Sequence, residues 1–229
     1  MKTRTEQGAP SGKRSNSLRR HPSFTLIEMV VVIGIMALLL AIAAPIFQNM
    51  AGGQGVRSAA RLTCQKLKLA RAYAINNREY VAVLFPEKNS GLPTDYGYRY
   101  YRACIVKNDT SGGYSFKRWV PGEGWTKLPG TVSAVDINDM KSSGTTFSGA
   151  TDVSAVDCSS LNGAKYDNTT YSNLTLKAIV FKPTGVAAKK GYLVLANDVV
   201  EGGSRVKNNT EKDLFVRVDQ YTGRVTFEE

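Results

Sequence analysis

The chain has 229 residues, with 30 Lys and Arg against 19 Asp and Glu, a formal charge of +11. With 42% hydrophobic and 21% charged residues it has a globular composition, which argues against wholesale disorder. One His and three Cys exclude a multi-histidine metal centre and any triad needing more than one histidine, and the thiols are too few to staple a small secreted scaffold.

The charge is unevenly placed. Residues 1–23 hold Lys2, Arg4, Lys13, Arg14, Arg19 and Arg20 against Glu6, a net +5, and the remaining 206 residues carry +6. This opening segment is rich in Ser, Gly and cations and poor in apolar residues, so it has no core to pack. A nucleic-acid arm would interleave aromatic residues with its cations, and none is present here.

From Met29 to Phe47 the chain runs for 19 residues without a charge. As a helix this segment spans roughly 28 Å, the thickness of a bilayer's hydrocarbon layer. Arg19 and Arg20 precede it, and the positive-inside rule keeps that end cytoplasmic. The expectation is a single-pass inner-membrane protein with its body on the periplasmic side. A secretory signal peptide also fits the order of segments, because Ala41-Ile42-Ala43 matches an A-x-A cleavage site and cutting after Ala43 would release a soluble protein. A permanent anchor is a further option.

Glu28 separates these options. Insertion scales charge roughly +2.5 to +3.5 kcal/mol for an acid at a membrane helix centre, less near its end, so a carboxylate there needs a partner. Phe24-Thr25-Leu26-Ile27-Glu28, preceded by Arg19-Arg20-His21-Pro22-Ser23, resembles the N-terminus of type IV prepilins and of the pseudopilins of type II secretion. The resemblance implies cleavage of a basic leader between Ser23 and Phe24 by a membrane-embedded prepilin peptidase, which also methylates the new Phe24 amine. It further implies that Glu28 attracts the Phe24 amine of a neighbouring subunit during assembly. The position before the cut is normally Gly in that family and is Ser23 here, at the end of a leader longer than most pilins have. Pro45 matches a proline that kinks or locally melts the helix in family members, as loss of an N–H in a helix would do. Gly52, Gly53 and Gly55 then loosen the joint.

Beyond the glycines, Val56, Ala59, Ala60, Thr63, Leu67, Ala70 and Ala74 recur at helical spacing, with Leu62, Leu69 and Tyr73 widening the apolar face. Arg57, Arg61, Lys66, Lys68, Arg71 and Arg78 form the solvated face, and Cys64 is a small buried hydrophobe. Strands are expected at 79–85, 98–106, 114–120, 174–181, 192–196, 214–218 and 225–227, with a hairpin across Gly112-Gly113. One long helix followed by many strands gives an α+β fold, a membrane and stem helix with an antiparallel sheet packed on its C-terminal half. The expected organisation is a leader at 1–23, an apolar assembly helix at 24–50, an amphipathic stem at 51–78 and a β domain at 79–229 with a loop insert at about 141–173.

A second resemblance lies in Ile179-Val180-Phe181-Lys182-Pro183-Thr184-Gly185, the strands at 192–195 and 215–218, and Tyr221-Thr222-Gly223-Arg224-Val225. These look like the C-terminal sheet of the H class of minor pseudopilins. Together the two resemblances imply a structural subunit of a type II secretion filament. Its partners would be the prepilin peptidase and methyltransferase, other pseudopilins, the inner membrane and a secretion substrate. A minor pilin of a surface pilus or DNA-uptake system has the same N-terminus. No cofactor or metal is expected: Asp152, Asp157 and Asp167 have no calcium-loop spacing, and Pro121-Gly122-Glu123-Gly124 is a turn rather than a phosphate loop. A Cys104–Cys158 disulfide is chemically allowed outside the cytoplasm, but which pair bonds, if any, cannot be read from the spacing. No catalytic residue is expected, since His21 lies in the leader and no nucleophile motif stands out.

Overall fold

The computed structural model describes residues 25–87, 90–109, 112–140, 147, 149–161, 171–201, 204–207 and 213–228, with side chains at 41–54 and 198–207 left aside. The chain divides into two units, Met1–Pro45 and Ile46–Glu229. Helix α1 (Leu26–Asn77) supplies the described part of the first unit and opens the second, and the helical assignment includes Pro45, Gly52, Gly53 and Gly55.

Eleven strands follow among the described residues: β1 (Tyr80–Phe85), β2 (Tyr100–Asn108), β3 (Tyr114–Trp119), β4 (Thr126–Lys127), β5 (Val132–Asn138), β6 (Thr151–Val156), β7 (Leu174–Phe181), β8 (Gly191–Glu201), β9 (Ser204–Lys207), β10 (Leu214–Val218) and β11 (Val225–Glu228). The fold class is α+β. The strands do not form the single antiparallel sheet that their order in the sequence suggests. In the first sheet the order is β1-β7-β6-β3-β2-β4, and β1 also pairs with β2, so five strands close on themselves. All its pairings are antiparallel except β3 with β6, where Tyr114 faces Val153 in parallel register. The second sheet runs β11-β10-β8-β5, with β9 turned back on β8. Strand β6 lies inside the stretch expected to be a loop insert, most of whose other residues are outside the described set.

Side-chain alternation along the strands separates two large apolar clusters, beside a small third one of Val135, Val194 and Ala196 on β5 and β8. Ala82 and Leu84 of β1, Cys104 and Val106 of β2, Tyr114 of β3, Val153 and Val156 of β6, and Ala178 and Val180 of β7 fill the interior of the ring. Val81, Val83 and Phe85 of β1, Ala103 and Ile105 of β2, and Ile179 and Phe181 of β7 point outward. They share the other cluster with α1 and with Leu193, Leu195, Val216 and Val218 of the second sheet. Strand β1 is therefore apolar on both faces, and Val81 through Phe85 are all buried.

The helix face in that cluster consists of Val56, Ala59, Ala60, Cys64, Leu67, Ala70 and Ala74. Mostly small side chains let the helix backbone approach the sheets closely, and the face is narrower than the sequence pattern indicates. Tyr73 packs against the cluster, whereas Leu62 is 43% and Leu69 63% exposed. Farther along, Arg71 joins α1 to two turns of the sheet region. Its Nε donates to the Gly185 carbonyl at 2.8 Å and its Nη2 to the Thr222 carbonyl at 2.9 Å. The turns themselves nearly touch. Gly223 has φ +63°, and a Cβ there would fall 1.9 Å from the Gly185 oxygen, so only glycine fits.

Candidate processing and assembly site

The start of α1 is set by its own first turn. Thr25 precedes the first helical residue, its Oγ1 accepts the Glu28 N–H at 3.3 Å, and its carbonyl accepts the Met29 N–H at 3.2 Å. Thr-x-x-Glu at this spacing is a capping box, in which the threonine satisfies one of the four free amides at a helix N-terminus. The capping-box pattern is a local one, legible in Thr25-Leu26-Ile27-Glu28 itself. Glu28 thus stands in the first turn, where the positive end of the helix dipole favours a carboxylate.

Every residue from Thr25 to Leu40 is exposed. Leu26 is 83%, Ile33 66% and Leu40 69% exposed, and Glu28 is the only charged residue among the sixteen. An uncovered apolar surface of this extent marks a membrane or protein interaction site. Among the described residues no helix is long and apolar enough to cross a membrane. The apolar run seen in the sequence continues past Leu40 into positions whose side chains are outside the described set.

The residues expected at the site are only partly visible. Ser23 and Phe24, the expected cleavage and methylation positions, lie outside the described residues. Glu28 is exposed at the head of the helix, and Pro45 falls within α1 with its side chain outside the described set.

Away from the helix tip the polar groups serve the fold. Glu79, at the entry to β1, accepts from Lys117 Nζ at 2.7 Å and from Arg118 Nη2 at 2.8 Å. These bonds, Lys117's first, hold its carboxyl below the usual carboxylate range, with burial opposing. Asp219 Oδ1 organises the last turn by accepting the amides of Tyr221 at 3.1 Å and Thr222 at 2.8 Å. Of the candidate calcium ligands, Asp152 pairs with Lys177 at 2.9 Å, Asp157 caps the Ser159 amide at 2.9 Å, and Asp167 lies outside the described residues. No group of three or more metal-ligating side chains occurs among the described residues. Cys64, Cys104 and Cys158 are all free and buried.

A family model described as the prokaryotic N-terminal methylation motif matches residues 18–44. The match spans the basic residues before Phe24, the Thr25–Glu28 turn and the exposed apolar part of α1, so the chain carries the N-terminal motif of type IV prepilin-like proteins. No curated protein and no solved structure matches the chain.

Proposed function

We propose that the chain is a minor pseudopilin of the H class, a non-catalytic subunit of a type II secretion system that polymerises through its N-terminal helix into a short periplasmic filament. The observation that carries this reading is one continuous segment. A methylation motif at 18–44 covers the start of α1, where the exposed apolar stretch from Leu26 to Leu40 holds a single charge, Glu28, whose backbone N–H is bound by the Thr25 cap.

In this reading the basic leader and apolar helix hold the precursor in the inner membrane with its β region outside. Prepilin peptidase cuts between Ser23 and Phe24 and methylates the Phe24 amine. That amine then meets Glu28 of a neighbouring subunit. A carboxylate in a low-dielectric setting is costly alone and gains most from a cation supplied in trans, which favours growth at a subunit contact. Helix packing around the contact draws the subunit out of the bilayer. The H-class reading rests on the second resemblance, whose turns at Gly185 and Gly223 are both bonded or approached by Arg71.

Glu28→Gln tests the assembly role, because glutamine at this position keeps the capping pattern and removes only the charge. The variant should fractionate with the membrane like the parent and lose co-isolation with other pseudopilins. Undiminished co-isolation would contradict the role of Glu28.

A further inference from the structure

Two of the three cysteines lie inside the closed sheet. Cys104 on β2 and Cys158, two residues past the end of β6, are fully buried in the cluster that fills the ring. Their surroundings are tied together closely. Cys104 stands opposite Trp119 in the β2–β3 ladder. Trp119 Nε1 in turn donates to the carbonyl of Asp157, the residue before Cys158, at 3.1 Å. The Cys158 amide donates to the Tyr171 carbonyl at 2.8 Å, which fixes the other side of that segment.

Arg102 completes the surroundings. It lies two residues from Cys104, on the same face of β2. Its guanidinium sits 3.8 Å from the centroid of the Trp119 ring, and its Nε is buried without a hydrogen-bond partner. Its charge favours the thiolate form of both cysteines. This contribution is smaller than that of burial. Burial works in the opposite direction, pushing the Cys158 thiol up to about 12 and the Cys104 thiol up as well.

We propose that Cys104 and Cys158 are a disulfide site, joining β2 to the segment after β6 across the interior of the ring. The oxidant is a thiol–disulfide oxidoreductase or oxidised glutathione. The Cys158 thiolate attacks one sulfur of the oxidant's disulfide, forming a mixed disulfide and releasing the other sulfur as a thiol. The Cys104 thiolate then attacks the Cys158 sulfur and expels the remaining oxidant sulfur. The two cysteines lose two electrons and two protons, and the oxidant's disulfide becomes two thiols. Cys64 has no part in the pair: it lies on α1 in the other cluster, with its thiol 3.6 Å from the Val225 carbonyl.

The test uses the full-length chain in detergent, carrying Cys64→Ala, refolded in a glutathione redox buffer and digested without reduction. One peptide pair joining Cys104 to Cys158 is expected. Reduction should lower the thermal midpoint by roughly 10 °C, the size expected when a cross-link closes a loop of about 55 residues. Cys104→Ala should abolish both signals, and if that variant does not fold, the peptide map of the unaltered chain carries the test. Recovery of Cys104 and Cys158 as two alkylated thiols, or a bond to Cys64 in the unaltered chain, would overturn the assignment. A second arm, acid-trapping of thiols in intact cells, rests on the proposed periplasmic location. A bond found in cells supports both site and location. A bond that forms in the buffer but not in cells supports the site and contradicts the location, and thiols that stay open in the buffer overturn the site whatever the compartment.

Discussion

The guanidinium of Arg71 bonds the Gly185 and Thr222 carbonyls at once, from near the C-terminal end of α1 to two turns more than a hundred residues away in sequence. The planar fork of arginine suits two such acceptors, and a lysine ammonium in the same place can reach only one well. Arg71→Lys should therefore cost about 1–3 kcal/mol in denaturant unfolding of the chain in detergent, through loss of one bond from a charged donor. An unchanged midpoint would show that the two turns are held without it. Glu79 makes a prediction in pH. Its folded-state pKa is lowered, chiefly by the Lys117 hydrogen bond. Its contribution is thus complete above the unfolded-state pKa and is lost as the pH falls through the lower folded-state value. Glu79→Gln should flatten the acid limb of the stability curve and leave its slope near neutrality alone. Thermal midpoints measured from neutral pH down to acid would check this.

Among the elements, α1 is plain in the sequence, whereas the width of its apolar face is not. The spacing of Val56, Ala59, Ala60, Leu67, Ala70 and Ala74 points to one stripe, and all six are buried. Leu62 and Leu69 fit the same period within a residue, but exposure depends on which strands lie beside the helix, and the spacing holds no information on that. Leu67→Ala should cost about 2–5 kcal/mol, whereas Leu69→Ala should stay within about 0.5 kcal/mol in the same unfolding assay. Similar costs at both positions would contradict the packing described. The strands were legible where β-branched and aromatic residues cluster, as in β2, β7 and β10. Strand β6 was hidden because Thr151-Asp152-Val153-Ser154-Ala155-Val156 is small and polar and carries a bulge between Val153 and Val156. In β5 the buried Asp136 interrupts the apolar run. Closure of the first sheet was not legible at all. It depends on the parallel pairing of β3 with β6 and on β1 meeting both β2 and β7, and these contacts follow from tertiary packing rather than from any local pattern.

At the scale of the whole molecule, the sequence places the functional signal in its first fifty residues and the bulk of the fold after them. Glu28 and the apolar run stand out because a charge there is expensive, and the Thr25 cap follows from an equally local pattern. Among the described residues of the second unit, two sheets pack with the Val56–Ala74 part of α1, and in the first unit every residue from Leu26 to Leu40 is exposed. An exposed apolar surface of that extent marks a membrane or protein contact. The central claim is that the leader ends at Ser23 and that the freed Phe24 amine enters assembly. Mass spectrometry of the N-terminal peptide from the native, membrane-extracted protein tests this most directly. The account predicts a chain beginning at N-methylated Phe24. A chain beginning at Ala44, or one still beginning at Met1, would contradict it.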